Sequence, residues 1–88
     1  MPGVRDPALL SSLAAELKAR RSKLGITQEE LAHRSGLQPL FIVRVETCTN
    51  QPSLTAFVML ANGLAAAPEE LLASVMHRYK VEVSLNRT

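Results

Sequence analysis

The chain has 88 residues, of which 47% are apolar and only three are aromatic, and its net charge is +2 at neutral pH. This length allows one domain with a thin core, and self-association would bury surface that a single subunit leaves exposed to water. Cys48 is the only cysteine, which excludes an internal disulfide and a cysteine-based zinc site. No apolar run approaches the ~18 residues that span a membrane. We therefore expect a cytoplasmic protein with no cofactor, no metal and no membrane partner.

The first predicted helix begins at Asp6, a good N-cap residue, and Pro7 takes its first helical position. Gly25 ends it, after several basic residues that complement the helix dipole. We assign residues 1–7 to an N-terminal arm and residues 8–78 to the main domain. Four leucines at spacings of three, four and seven are expected to share the buried face of this helix: Leu10, Leu13, Leu17 and Leu24.

Two short helices follow. Thr27 and Glu30 have the spacing of a capping box, which predicts the start of a helix that stops at Gly36. The next helix is predicted from about Pro39 to Thr47. A tight glycine turn between two short helices is typical of the helix-turn-helix unit.

The fourth and fifth helices are predicted from their caps and apolar spacing. Ser53 is the expected N-cap of the fourth helix, and Pro68 opens the fifth with two acidic residues beside it. The apolar face of the fourth helix is expected at Leu54, Phe57, Leu60, Ala61 and Leu64. That of the fifth is expected at Leu71, Leu72 and Val75.

Residues 79–88 form a C-terminal extension with a different pattern. Val81, Val83 and Leu85 alternate with polar residues, which is typical of a β-strand. A single strand needs a partner for its backbone groups. We therefore predict that these three residues dimerise the protein by pairing with the same strand of another copy. The alternative is a frayed tail.

The segment from Thr27 to Leu54 closely resembles the XRE-type helix-turn-helix family, which includes the phage repressors and Cro proteins. The motif begins at Thr27-Gln28-Glu29-Glu30-Leu31-Ala32 and turns at Gly36. It continues through Ile42-Val43-Arg44-Val45-Glu46, and Pro52-Ser53-Leu54 follows in register. The resemblance covers about residues 13–75. It implies an all-α, five-helix lambda-repressor-like domain whose third helix enters the major groove of DNA.

The resemblance also implies roles for individual residues. Phosphate contacts are expected at the start of the second helix, where backbone N–H groups favour an anion, and in the turn before the fourth helix. Arg21 and Glu46 are expected to form a buried structural ion pair between the first and third helices. The implied DNA-binding residues are Thr27, Gln28, Gln38, Pro39, Leu40, Phe41, Arg44, Thr49, Asn50, Gln51 and Ser53.

Some positions depart from the family pattern. Of the residues that would face the bases, only Gln38 and Arg44 can hydrogen-bond a base edge. The apolar Leu40 and Phe41 would contact thymine methyl groups, bind another protein, or fold against the fourth helix. Cys48 stands where a glycine commonly ends the third helix; a left-handed conformation there would strain a cysteine unless Asn50 adopts it instead.

The sequence shows no arrangement typical of an active site. His33 and His77 are isolated from other metal ligands and from any triad, and no glycine-rich phosphate loop is present. We predict a nonenzymatic, sequence-specific transcriptional regulator of the repressor type, bound as a homodimer to a palindromic operator on the nucleoid. The alternatives are an antitoxin that binds a partner toxin and represses its own promoter, and the controller protein of a restriction–modification operon.

Overall fold

The computed structural model describes residues 4–86, which fold into an all-α bundle of five helices. The helices are α1 (Pro7–Leu24), α2 (Gln28–Ser35), α3 (Pro39–Glu46), α4 (Leu54–Gly63) and α5 (Pro68–Leu85). The predicted fold class is confirmed.

The helix ends are determined by local chemistry, as the sequence predicted. The Asp6 carboxylate accepts hydrogen bonds from the backbone N–H groups of Ala8 and Leu9. The Thr27–Glu30 capping box is complete. Gly25 and Gly36 end α1 and α2 with φ angles of 68° and 70°, in the left-handed region that costs glycine little.

One core runs through all five helices, and its most deeply buried large residues come one from each helix: Leu17, Leu31, Ile42, Leu60 and Leu71. Three leucines predicted for the core are instead exposed: Leu24, Leu54 and Leu72. Leu24 is the last residue of α1 and Leu54 the first of α4, so each lies at a helix end. On α5 the buried stripe follows Leu71 and Val75, one turn apart, and Leu72 lies about 100° around the helix from Leu71.

The strand prediction for the C-terminal extension is wrong. Val81, Val83 and Leu85 belong to the last turns of α5, and residues 4–86 contain no strand. Polar contacts with the N-terminal part of the chain explain the difference. Asp6, Ser12 and Glu16 bind side chains of α5 at helical spacing; these are Arg78, Tyr79 and Glu82, which follow Val75 by three, four and seven residues. In a helix, Arg78, Tyr79 and Glu82 share the face that contacts α1 and its N-cap; in a strand, they would not all lie on one face.

The turn after α3 uses Cys48 in the left-handed conformation, with φ of 61°. Asn50 does not take this role, since the other non-glycine residue with positive φ in the described part of the chain is Ala65. The Arg44 carbonyl accepts the backbone N–H groups of Thr49 and Asn50 at 2.7 and 3.1 Å. These bonds hold the turn in a conformation that costs a residue with a Cβ roughly 1–2 kcal/mol.

Within residues 4–86, no single helix is long and apolar enough to cross a membrane. Helices α4 and α5 meet the length and composition criteria only as a pair, and that pair is bent by 103°.

Candidate nucleic-acid interface

The helix-turn-helix unit consists of α2, the turn at Gly36 and α3. Helix α2 packs on α3 and α4, and α3 packs on α1. At the base of the unit, the Arg21 guanidinium binds Glu46 through two parallel hydrogen bonds of 2.8 and 2.9 Å. Its third bond reaches the Ile26 carbonyl at 3.0 Å, so one side chain joins α1, α3 and the segment that leads into α2.

Glu46 is 2% exposed and also accepts a hydrogen bond from the Gln28 side chain at 3.0 Å. Burial opposes its ionisation. The hydrogen bonds from Arg21 and Gln28, with the positive charges of Arg21 and Lys18, outweigh burial and hold the pKa of Glu46 below its usual value. The carboxylate is therefore a charged, fully engaged structural group.

The two predicted phosphate ligands on α2 already have internal partners. The Thr27 hydroxyl accepts the Glu30 backbone N–H at 3.0 Å, and the Gln28 amide binds Glu46. The side-chain bond of Gln28 orients α2 relative to α3. The helix N-terminus itself remains the group suited to an anion.

The exposed surface of α3 and its N-cap residue combines polar and apolar side chains. Gln38, Pro39, Leu40 and Arg44 are exposed, and Leu40 is 55% exposed. Phe41 is half-buried and packs against the core. Phe41 thus stabilises the fold, whereas Leu40 stays on the surface beside Gln38 and Arg44, the two residues that can bind base edges.

The α3–α4 loop carries four of the predicted DNA-binding residues. Ser53 caps α4 by accepting the Ala56 N–H at 3.0 Å, and the Thr49 and Thr47 hydroxyls lie 3.1 Å apart. Gln51 is exposed and Asn50 is half-buried. This loop follows α3 directly along the chain.

The cluster of basic residues on α1 divides into two groups. Arg21 is bound to Glu46, and Arg20 binds Glu16 at 2.7 Å and the Ser74 hydroxyl at 3.0 Å. Lys18 and Lys23 are exposed. Half of the cluster therefore holds the bundle together.

Helix α4 packs closely against α2 of the helix-turn-helix unit. A Cβ built on Gly63 would overlap the Ser35 hydroxyl oxygen and lie 3.1 Å from a methyl carbon of Leu31. Only glycine allows this spacing without a shift of the neighbours. The buried Ser35 hydroxyl has no hydrogen-bond partner within the described part of the chain.

Among residues 4–86, no group of three or more histidine, cysteine, aspartate or glutamate side chains is placed to hold a metal ion. His33 and His77 are both exposed and lie on different helices.

Comparison with known proteins agrees with this geometry. The model of the helix-turn-helix domain family matches residues 12–74. The chain belongs to the helix-turn-helix family. It is a DNA-binding transcriptional regulator of this family.

Solved structures of regulators have the same fold. The restriction–modification controller protein C.AhdI from Aeromonas hydrophila is 34% identical, with a TM-score of 0.68 over 70% of this chain and 94% of that one. A point mutant of the restriction–modification controller protein C.Esp1396I is 26% identical, with a TM-score of 0.74 over 78% and 87% of the two chains. The clp gene regulator ClgR from Corynebacterium glutamicum, at 22% identity, shares the fold with a TM-score of 0.80 over 93% and 87%. No curated protein sequence gives a significant match.

The sequence analysis missed one element of this surface. Arg5 donates a hydrogen bond of 2.7 Å to the Thr49 carbonyl, and Gln51 donates one of 3.4 Å to the Val4 carbonyl. Residues 4 and 5 of the N-terminal arm thus lie against the α3–α4 loop. No local sequence signal joins positions 44 and 47 residues apart.

Proposed function

We propose that the protein binds a palindromic DNA operator as a homodimer and regulates transcription as a repressor, with no catalytic activity, in the cytoplasm on the nucleoid. The observation that supports sequence-specific binding most directly is the exposure of Gln38, the N-cap residue of α3, and of Arg44 in its last turn. Gln favours adenine and Arg favours guanine. We expect phosphate contacts from the backbone N–H groups at the N-terminus of α2, beside Thr27 and Gln28, whose side chains have internal partners, and from the loop of residues 49–53.

Leu40 and Pro39 complete the proposed base-facing surface. Both are exposed at the first turn of α3, where apolar side chains suit thymine methyl groups. Phe41 contributes by supporting this turn from the core side. Two hydrogen-bonding residues in each subunit provide sparse direct recognition, so part of the discrimination is expected from DNA shape and deformability.

An apolar groove provides the surface for a second copy. It has a volume of about 470 Å³ and lies where the starts of α1, α4 and α5 meet. Leu54, 81% exposed, and Leu72, 48% exposed, line it. Gln51 and Ser53 also line it, so the groove shares these residues with the proposed phosphate-binding loop. A twofold contact would bring the same groove of both copies together, and a palindromic operator requires such a twofold dimer.

Selection of bound duplexes from a random pool at two salt concentrations tests the DNA proposal. We expect an enriched palindrome with half-sites centred about one helical turn apart. The affinity should fall roughly tenfold or more for each fourfold rise in salt, because phosphate contacts release counterions. A salt-independent affinity, or no enriched sequence, would contradict the proposal.

The position of the self-association surface can be tested separately. Leu54→Asp and Leu72→Asp should each convert a dimer into a monomer in analytical ultracentrifugation, because a charge would be buried in an apolar contact. Val81→Asp is the matched control, since Val81 is as exposed as Leu72 but lies at the other end of α5. Loss of the dimer in the Val81 variant alone would move the interface to the C-terminal turns.

A restriction–modification controller is the second candidate function. It is favoured by the 34% identity to C.AhdI, of which this chain covers 94%. A restriction endonuclease gene beside the gene for this protein, with an operator upstream of it, would support this role. A toxin gene in that place would favour the antitoxin alternative.

A further inference from the structure

The N-terminal arm before α1 brings a cation to the α3–α4 loop. Arg5 donates from Nη1 to the Thr49 carbonyl at 2.7 Å. The neighbouring Val4 carbonyl accepts from the Gln51 side chain at 3.4 Å. Two bonds thus connect the arm to the loop on both sides of Asn50, and Asp6 holds the following turn as the cap of α1.

Within residues 4–86, Arg5 forms no ion pair with a carboxylate. The ion pairs within residues 4–86 join Arg20 and Arg78 to Glu16, and Arg21 to Glu46. Residues 47–53 contain no acidic side chain. Arg5 is exposed, and the bond to Thr49 uses only one of the five N–H donors of its guanidinium.

A guanidinium with unused donors suits a phosphate, because its planar fork matches the geometry of phosphate oxygens. The surrounding groups on the loop are neutral hydrogen-bonding side chains, which surround nucleic-acid phosphates in the same way. The bond to Thr49 would hold the arginine in place before DNA binds and so reduce the entropy lost on binding.

We propose that Arg5 is a DNA-contacting residue: it holds the α3–α4 loop through one donor and binds a backbone phosphate with the others. The inference rests on the proposed DNA-binding function. It adds a contact that the family motif does not contain, because Arg5 precedes the residues 12–74 that match the family model.

The test compares the salt dependence of binding for four proteins: the wild type, Arg5→Gln, Arg5→Lys and Lys80→Gln. The probe is a mixed-sequence duplex of about 30 base pairs in fluorescence anisotropy between about 50 and 200 mM KCl, since nonspecific binding depends almost entirely on phosphate contacts. Lys80 is an exposed residue of α5 and follows Tyr79, whose hydroxyl binds Asp6, so its replacement removes the same charge near the arm but outside the α3–α4 loop.

We expect Arg5→Gln to weaken binding about fivefold at 0.15 M salt and to reduce the log–log salt slope by about 0.9, the contribution of one phosphate. Arg5→Lys should retain most of that slope, and Lys80→Gln should leave it unchanged. Thermal unfolding of the variants should match the wild type, because Arg5 is exposed.

Each other outcome would overturn the inference. A weaker affinity with an unchanged slope would mean that Arg5 only positions the loop. Equal loss in the Lys80 variant would show a general effect of net charge. If the wild type binds DNA and Arg5→Gln binds equally well, Arg5 is not a DNA-contacting residue, but the DNA-binding function stands. A wild type that binds no duplex would remove the DNA-binding function and this inference with it.

Discussion

Helix α1 is joined to its two neighbours by the same chemistry in two different environments. On the DNA side, Arg21 binds Glu46, whose side chain is 1% exposed. On the far side, Arg78, whose side chain is 41% exposed, binds Glu16, whose side chain is 11% exposed and is also bound by Arg20. A buried ion that loses its only charged partner keeps its desolvation cost, whereas one that retains a second partner does not remain uncompensated. The contact with α3 should therefore tolerate little change, and the contact with α5 much more.

Packing shows the same contrast. Around the helix-turn-helix unit, α2 and α4 approach so closely that Gly63 lies directly against Ser35. Between α1 and α5, an open groove of about 760 Å³ remains, lined by small and polar side chains such as Ser11, Ala15 and Ala73. Substitutions at Gly63 should therefore be less well tolerated than substitutions that fill this groove.

The largest effect is expected from Arg21→Ala. It should lower the free energy of unfolding by about 3–5 kcal/mol, because Glu46 stays buried without its partner. Urea denaturation measures this change, and Lys23→Ala, an exposed residue in the same turn of α1, is the control. A variant that melts within about two degrees of the wild type would contradict the structural role.

Gly63→Ala should come next, with a loss of about 1–3 kcal/mol, because the added methyl group overlaps the Ser35 hydroxyl. Ser35→Ala alone should be close to neutral, since it removes a buried hydroxyl that has no partner within residues 4–86. The double variant should recover part of the loss in thermal denaturation. Purely additive effects would show that the two residues are not coupled.

The free energy of unfolding should also decrease gradually as the pH is lowered. The pKa of Glu46 lies below its usual value of 4.5 in the folded protein, and so does that of Glu16, where hydrogen bonds and charges from Arg78 and Arg20 outweigh burial. A depressed folded pKa stabilises the folded state above the unfolded pKa, and this contribution is lost as the pH falls through the folded value.

Urea denaturation from about pH 7 down to pH values below 4.5 should therefore show falling stability. The decrease should persist in large part in Glu16→Gln, because Glu46 remains. A stability that is constant over this range would exclude both carboxylates as its source.

The smallest change is expected from Arg78→Ala, at most about 1 kcal/mol, because this pair is solvent-screened and Arg20 still binds Glu16. Thermal denaturation at low and high salt measures it, and the difference from the wild type should shrink with salt. A loss as large as that of Arg21→Ala would remove the contrast between the two sides of α1.

The sequence predicted the helix ends well because each depends on neighbouring residues. The Thr27–Glu30 box and the glycines at 25 and 36 act over one turn of chain. The exposure of Leu54 and Leu72 was not predictable in this way, because periodicity defines a helix face but not which neighbour covers it. The alternation of Val81, Val83 and Leu85 wrongly predicted a strand, because a local pattern does not show which neighbour the segment packs against.

The candidate site divides along the same line. The role proposed for α3, and for Gln38 and Arg44 as base-contacting residues, follows from the motif alone. The internal use of Gln28, and the arm contact through Arg5 and Thr49, depend on residues 18 and 44 positions apart. No local pattern encodes such distances, because the groups meet only after the bundle has folded.

The amino-acid sequence by itself determined the family, five helices with most of their ends, and the order of the helix-turn-helix unit, because capping, turn conformation and apolar spacing are local interactions. Only the tertiary structure decided that the C-terminal segment is helical, that the Gln28 side chain binds Glu46, and that Arg5 lies on the loop beside α3. These three outcomes depend on polar partners distant in the sequence. Their contacts outweigh weak local preferences because a helix packed against a neighbour is far more stable than an isolated one.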